Sequence, residues 1–257
     1  MIDPAAMSMA LKRYVAFLAA WFLYAGFAVP TRGITASSGG VESGQRLYQQ
    51  GLEAVQNKNF PAAILDFRRA LQYLPKSADV HNSLGSAYLG TGDVNRAAIE
   101  FRKAIALRPD FAEAYFNMAV ALGRRDDLIG AETFYRYAVS LRPQWGEAHF
   151  HLGTTLWLEQ KYPEAITELQ KAADLDTGFA DKSAATIATI HGEQDAQSGN
   201  LDAAIQEFRT AIQKSPELAR AHYGLAKALR ARGDLQQAGA EFNKAHELDP
   251  SIEVPKS

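Results

Sequence analysis

The chain contains no cysteine. That absence removes disulfides, thiolate metal sites and a thiol nucleophile. It also removes the residue on which exported lipoproteins carry their lipid. An excess of one charge is missing too: 27 Lys and Arg stand against 29 Asp and Glu, a formal net charge of −2. Without the first 36 residues the balance is 24 basic to 28 acidic side chains. A mildly acidic chain has no electrostatic footprint for nucleic acid. The short motifs of catalysis are absent as well, with no HExxH, no glycine-rich phosphate loop and no GxSxG. These gaps predict a protein that is not an enzyme and has no cofactor, metal site, small-molecule substrate or nucleic-acid partner.

What is present begins with an apolar run. Lys12 and Arg13 precede sixteen uninterrupted apolar residues, Tyr14 to Val29, and Pro30 stops them. A basic flank before such a run is the pattern of a secretory signal. The length lies between a signal core and the ~17–25 residues that span a bilayer. Gly26 and Ala28 supply small side chains at −3 and −1 of a candidate cut, and Ala36 is an alternative. Three readings stand: a cleaved signal, a retained anchor, and a buried core helix. The Gly-, Ser- and Thr-rich stretch after Pro30, which predicts a flexible linker, counts against the third. Signal or anchor plus linker is assigned to residues 1–36. Either of the first two readings places the rest outside the cytoplasm, periplasmic or secreted, with membrane contact only if the segment is retained.

The remainder is periodic. Pro75, Pro109 and Pro143 are 34 residues apart, and Pro216 and Pro250 repeat the interval. A period of roughly 20–50 residues marks a stacked repeat architecture. Aligned on the prolines, six units cover 44–77, 78–111, 112–145, 146–179, 185–218 and 219–252, with a tail at 253–257. Position 8 is small in each unit: Gly51, Gly85, Ala119, Gly153, Gly192 and Ala226. Positions 20 and 27 are alanine throughout. Position 24 is large and apolar: Phe67, Phe101, Tyr135, Leu169, Phe208 and Phe242. Small residues let two helix backbones approach closely, and spacings of three and four hold the large ones on one face. Within each unit lies a turn: KNFP, TGDV, RDDL, QKYP, SGNL or RGDL. Glycine there suits a left-handed helix end, and the Asp or Asn that follows caps the next helix. Pro61 and Pro163 fall in a first helical turn.

This register resembles the tetratricopeptide repeat (TPR) family over about residues 44–252. The resemblance implies an all-α, right-handed α-solenoid of six helix pairs. It also implies that the first helix of each pair lines a concave groove, through positions 2, 5, 9, 12 and 13. The groove residues so implied are Tyr48, Asn82, Phe116, Val120, Phe150, Thr154, Trp157, Tyr223, Lys227 and Arg230. The middle is aromatic and the late end basic, which suits a peptide with apolar anchors and an acidic end. An alternative has Phe116, Phe150 and Trp157 filling space between first helices. The family's clamp for a terminal carboxylate needs lysine at position 5, which no unit has; Asn117 alone supplies its asparagine at position 6.

His81, His149 and His222 share position 4, where a packing role is expected. His149 and His151 are two apart and point to different faces. The fifth unit departs most. It follows a five-residue insertion, Ala180 to Ala184, and has His191 and Asp195 at apolar positions. A lengthened first helix or bent joint is predicted near residues 178–198. The last helix is predicted to expose Phe242, Ala245 and Leu248, because no capping helix follows within the sequence. The leading functional expectation is an envelope scaffold or adaptor that binds a protein or peptide partner. The alternative is an assembly component, similar to the six-repeat pilotin-like proteins of pilus biogenesis, that self-associates through its last repeat; those proteins carry a lipidated cysteine that this chain lacks.

Overall fold

The computed structural model describes residues 38–254. The apolar run and its alternatives lie outside the described residues. Among the described residues there are twelve α-helices and no strand. They are α1 (Ser38–Gln56), α2 (Phe60–Tyr73), α3 (Ala78–Gly90), α4 (Val94–Leu107), α5 (Ala112–Gly123), α6 (Leu128–Leu141), α7 (Gly146–Leu158), α8 (Tyr162–Leu175), α9 (Ala180–Gln197), α10 (Leu201–Lys214), α11 (Ala219–Arg232) and α12 (Leu235–Leu248). From Glu42 onward they form one compact unit. Helices pack on their sequence neighbours. First helices also touch the next first helix, α3 with α5, α7 with α9 and α9 with α11. Second helices have no comparable mutual contact among the described residues, so the first helices crowd together on the inner side of the row.

The linker assigned within residues 1–36 lies outside the described residues, and the Gly- and Ser-rich stretch that follows it is helical. Helix α1 already begins at Ser38, inside the Gly- and Ser-rich stretch. Gly44 explains the order, because it seats against Tyr73 and Leu74 with no room for a Cβ. The same device recurs within pairs. A Cβ on Gly51, Gly85 or Gly192 would lie within 3 Å of the ring of Phe67, Phe101 or Phe208 respectively, and one on Gly153 would meet Leu169. Position 8 is small because position 24 occupies its space.

Each turn places one residue at positive φ, always at position 15. Gly92, Gly199 and Gly233 are joined there by Lys58, Asp126 and Gln160. Asn59, Asp93 and Asp127 then cap the following helix through their side chains. Asn200 and Asp234 do not cap as expected. Asp234 pairs with Arg232 instead. A side chain at left-handed φ costs about 1–2 kcal/mol. Part of that gain on substitution is offset by the greater freedom of glycine in the unfolded chain. Gln160→Gly and Lys58→Gly should each raise stability by about 0.5–1 kcal/mol, measured as the urea midpoint at unchanged slope. Loss of stability in both would refute the turn assignment.

The position-4 histidines do pack, through a repeated hydrogen-bond pattern. His81, His149 and His222 are buried. Their Nδ1 atoms lie 2.6, 2.5 and 2.6 Å from a carboxylate oxygen of Glu100, Glu168 and Glu241 on the paired helix. Their Nε2 atoms reach the carbonyls of Pro75, Pro143 and Pro216 at 3.2, 3.0 and 3.0 Å. Each imidazole therefore ties both helices of its unit to the turn that precedes them. The third unit fills the same two positions with Tyr115 and Phe134, whose rings are 6.1 Å apart. Burial pushes Glu100 and Glu168 up, but hydrogen bonds from the histidine and from Lys103 or Lys171 outweigh it and hold both below the ordinary glutamate value of 4.5. A carboxylate depressed by folding contributes stability above its unfolded pKa and loses it as pH falls through the folded value. Replacing Glu168 alone with alanine should cost about 1–3 kcal/mol, because it strands a buried ring nitrogen. The double exchange His149→Tyr with Glu168→Phe, which copies the third unit, should cost less than either single exchange and flatten the loss of stability below about pH 4.5. Additive losses in a double-mutant cycle would refute the pairing.

The fifth unit is the irregular one. A 3₁₀ turn, Thr177–Phe179, leads into α9, which at 18 residues is the longest of the later first helices. His191 is exposed, and its neighbour Ile190 is wholly buried against the preceding units. Ser183, Thr186 and Thr189 are buried on the same helix, and the Ser183 hydroxyl has no partner among the described residues. The apolar core divides here. One cluster runs from Ala63 to Ile190, and a second gathers Phe208, Leu225, Leu229 and Phe242. The expectation of an exposed apolar end is not met. Phe242 and Ala245 are buried and Leu248 is half-buried, because Tyr223 and the Arg230 guanidinium cover the Phe242 ring at 5.7 and 5.3 Å.

Candidate functional site

Helix periodicity places the ten groove candidates on the first helices, and the structure sorts them into three groups. At the early end Tyr48, half-buried against Phe67, bonds Ser83 through its hydroxyl at 3.2 Å. The Asn117 amide donates to Asn82 at 3.0 Å and lies 3.5 Å from the Ser86 hydroxyl. This stretch of the inner face carries amides and hydroxyls, from Asn82, Ser83, Ser86 and Asn117. Val120 is half-buried beside it.

The middle is more filled than a groove. Phe116 is only 8% exposed, enclosed by Tyr135, Trp145 and His151 at ring distances of 5.5, 4.6 and 5.4 Å. Its ring packs against α6, the turn that follows α6, and α7. Burial, reinforced by Lys182, holds His151 below the ordinary histidine value although Glu147 acts the other way. Burial drives the Tyr135 hydroxyl far up, with Glu147 adding to it. Phe150 stays half-buried, 5.0 Å from Phe179 of the 3₁₀ turn. Thr154, also half-buried, spends its hydroxyl on the His151 carbonyl at 3.0 Å. Among the described residues no group of His, Asp and Glu converges as a metal site would require.

Trp157 is 5% exposed, and its surroundings correct the idea that it is an open anchor. Its indole N–H donates to Glu193 at 2.9 Å, and the other oxygen of Glu193 accepts from Arg220 at 2.8 Å. The guanidinium of Arg220 lies over the indole at 4.3 Å. Three first helices, α7, α9 and α11, are thus joined by one polar clasp that lies across the division in the core. Its members occupy positions 12, 9 and 2 of successive units. Position alone puts all three on the inner face, and only their reach across units makes them a closed set.

Beyond the clasp the inner face opens. A cavity of about 730 Å³ lies along α9 and α11. Ala196, Phe208, Gly224 and Ala228 line it, with Tyr223 and Lys227 above them. Leu158, Tyr162, Asp249 and Ile252 also line it. Tyr223 is half-buried, and the Lys227 ammonium lies over its ring at 5.6 Å. Arg230 is exposed, one turn further along α11. The sequence pattern indicated Tyr223 and Lys227. It gave no sign that Ala196 and Gly224 make space there, since small residues read as helix contacts.

The clasp should be measurable through its tryptophan. Glu193→Ala leaves a buried indole N–H and a guanidinium without an acceptor. We expect a loss of about 1–2 kcal/mol, discounted because Arg220 is partly exposed, together with red-shifted tryptophan emission. Trp157→Ala should cost about 3–5 kcal/mol. An unchanged unfolding midpoint in both variants would show that the clasp carries no load.

A family model described as tetratricopeptide repeat matches residues 48–110, 87–146, 116–178 and 192–251. Among solved structures, a tetratricopeptide repeat protein from Parabacteroides merdae is 18% identical with a TM-score of 0.63, over 84% of this chain and 82% of its own. PilF of Pseudomonas aeruginosa is 21% identical with a TM-score of 0.61, over 82% and 94%. YrrB, described as a TPR protein with an unusual peptide-binding site, is 20% identical with a TM-score of 0.52, over 72% and 92%. At these identities the likeness is one of fold. No curated protein matches the sequence.

Proposed function

The chain belongs to the tetratricopeptide repeat family, and from that premise we propose that it is a non-catalytic scaffold that holds a segment of another protein along the inner face of its first helices. A solenoid of this family is a protein–protein interaction scaffold. The observation that carries the finer reading is the open cavity along α9 and α11, with Tyr223 and Lys227 at its wall. Pre-formed helices limit the ordering that a guest must offset, and the amides and hydroxyls of the early face suit a peptide backbone. We place this activity in the cell envelope on the strength of the Lys12–Arg13 flank and the apolar run behind it. The self-associating assembly role draws no support from Phe242 and Ala245, which are buried, although Leu235 of the same helix is exposed.

The full chain, immobilised, should retain a specific protein from envelope extracts. Phe150→Ala with Tyr223→Ala should reduce that retention about 10-fold or more with the helical circular dichroism spectrum unchanged. Leu65→Ser with Ile129→Ser, on exposed positions of second helices, should not. Equal retention by the inner and outer variants would overturn the groove assignment.

A further inference from the structure

Space along α11 arises from particular substitutions in the repeat register. At position 6 the third and fourth units have Asn117 and His151, and the sixth has Gly224. At position 12 the fourth unit has Trp157, and the fifth has Ala196. The Phe208 ring lies so close beneath Gly224 that a Cβ there would meet it at 2.4 Å. The result is a shallow apolar floor of Ala196, Phe208, Gly224 and Ala228. Its volume of about 730 Å³ falls within the ~300–1,000 Å³ typical of ligand sites.

The charges around this floor are unevenly used. Glu193 is committed to Trp157 and Arg220. Asp249 accepts from the backbone and the hydroxyl of Ser251 at 3.0 and 2.7 Å. Lys227 has no acidic partner among the described residues and rests over the Tyr223 ring. Arg230, the next cation on α11, lies over Phe242 and likewise has no acid beside it among the described residues. Both acids on the wall are therefore satisfied within the protein, and the positive rim is not. Tyr162, Lys227 and Ile252 all line the same cavity, so a guest seated in it lies within reach of the ammonium.

We propose that this groove takes a partner segment that lays an apolar side chain on the Ala196–Gly224–Ala228 floor and sets an aspartate or glutamate side chain against Lys227. The proposal rests on the peptide-binding reading above and adds the chemistry of the partner. An apolar side chain gains from leaving water, and an opposite charge at the rim discriminates among segments more than it adds affinity.

The test uses fluorescein-labelled, C-terminally amidated peptides of about a dozen residues, with leucine alternating with glutamate, glutamine or lysine, titrated with the full chain by anisotropy. The glutamate peptide should bind about 10-fold or more tighter than the glutamine peptide, and the gap should narrow as salt rises. Lys227→Glu should abolish that preference. Ala196→Leu, which fills the floor, should weaken the glutamate peptide about 10-fold. Arg209→Glu, the same charge change on an exposed position of α10, should do neither. Binding of all three peptides alike, or glutamate-peptide binding indifferent to Lys227→Glu and Ala196→Leu, would overturn the acidic preference and leave groove binding intact. Failure to bind any peptide, together with equal retention in the extract experiment, would overturn both readings. Dimers in sedimentation velocity that dissociate on Lys227→Glu would assign the groove to a second copy and overturn the proposal.

Discussion

Two helices of a pair approach here until a ring lies in the volume that a side chain would otherwise fill. Phe101 occupies the space of a Cβ on Gly85, and Phe208 does so for both Gly192 and Gly224. Close approach of this kind brings many atoms into dispersion contact at once, each worth only ~0.1–0.2 kcal/mol but numerous. It also sets the tilt of each pair, because a larger residue on either side would force the helices apart. Ala119 with Tyr135 and Ala226 with Phe242 show how much variation the geometry accepts. Every groove residue is placed by this contact, since position 8 lies one residue from position 9 and turning α3 or α9 about its axis would turn the inner face with it.

Polar bonding is laid over that apolar frame in a form that can be exchanged as a set. Each ring nitrogen of a histidine at position 4 faces an oxygen, one from the glutamate at position 23 and one from the proline carbonyl, in the second, fourth and sixth units. In the third unit both side chains become aromatic together. A buried polar pair and a buried apolar pair can each be satisfied, whereas a mixed pair leaves a donor or acceptor stranded. The third unit changes both positions together, whereas the first and fifth keep an acid, Asp66 and Glu207, opposite Leu47 and Ala188.

The pairing of helices was legible because it follows from period and size: prolines every 34 residues, small residues at positions 8, 20 and 27, large ones at 24. Other features were not. The left-handed turn residue was visible as glycine at 92, 199 and 233 but hidden as Lys58, Asp126 and Gln160, because neighbouring contacts impose that conformation against local preference. The His–Glu bonds could have been read from position 23, which is acidic wherever position 4 is histidine. The state of Phe116 and Trp157 could not. Register assigns a direction to a side chain, but Trp145 and Arg220, which cover them, reach in from the following turn and from two units away.

The fifth unit shows how the architecture treats an interruption. Five inserted residues and a polar set, Ser183, Thr186 and Thr189, break the continuous core at α9. A solenoid is stable as a sum of nearest-neighbour interfaces, so a weak interface there would separate the last two units from the first four. The clasp of Trp157, Glu193 and Arg220 crosses that joint on the inner face, with a charge-assisted bond and a stacked guanidinium where apolar contact is thin. The open groove begins immediately beside it. Space for a guest and weakness of the joint have one physical origin: both arise where α9 gives up large apolar side chains, leaving Ala196 at a position that Trp157 fills one unit earlier. A guest seated on Ala196 and Gly224 touches α9 and α11 together. Such a guest would add apolar contact between the two helices that frame the groove.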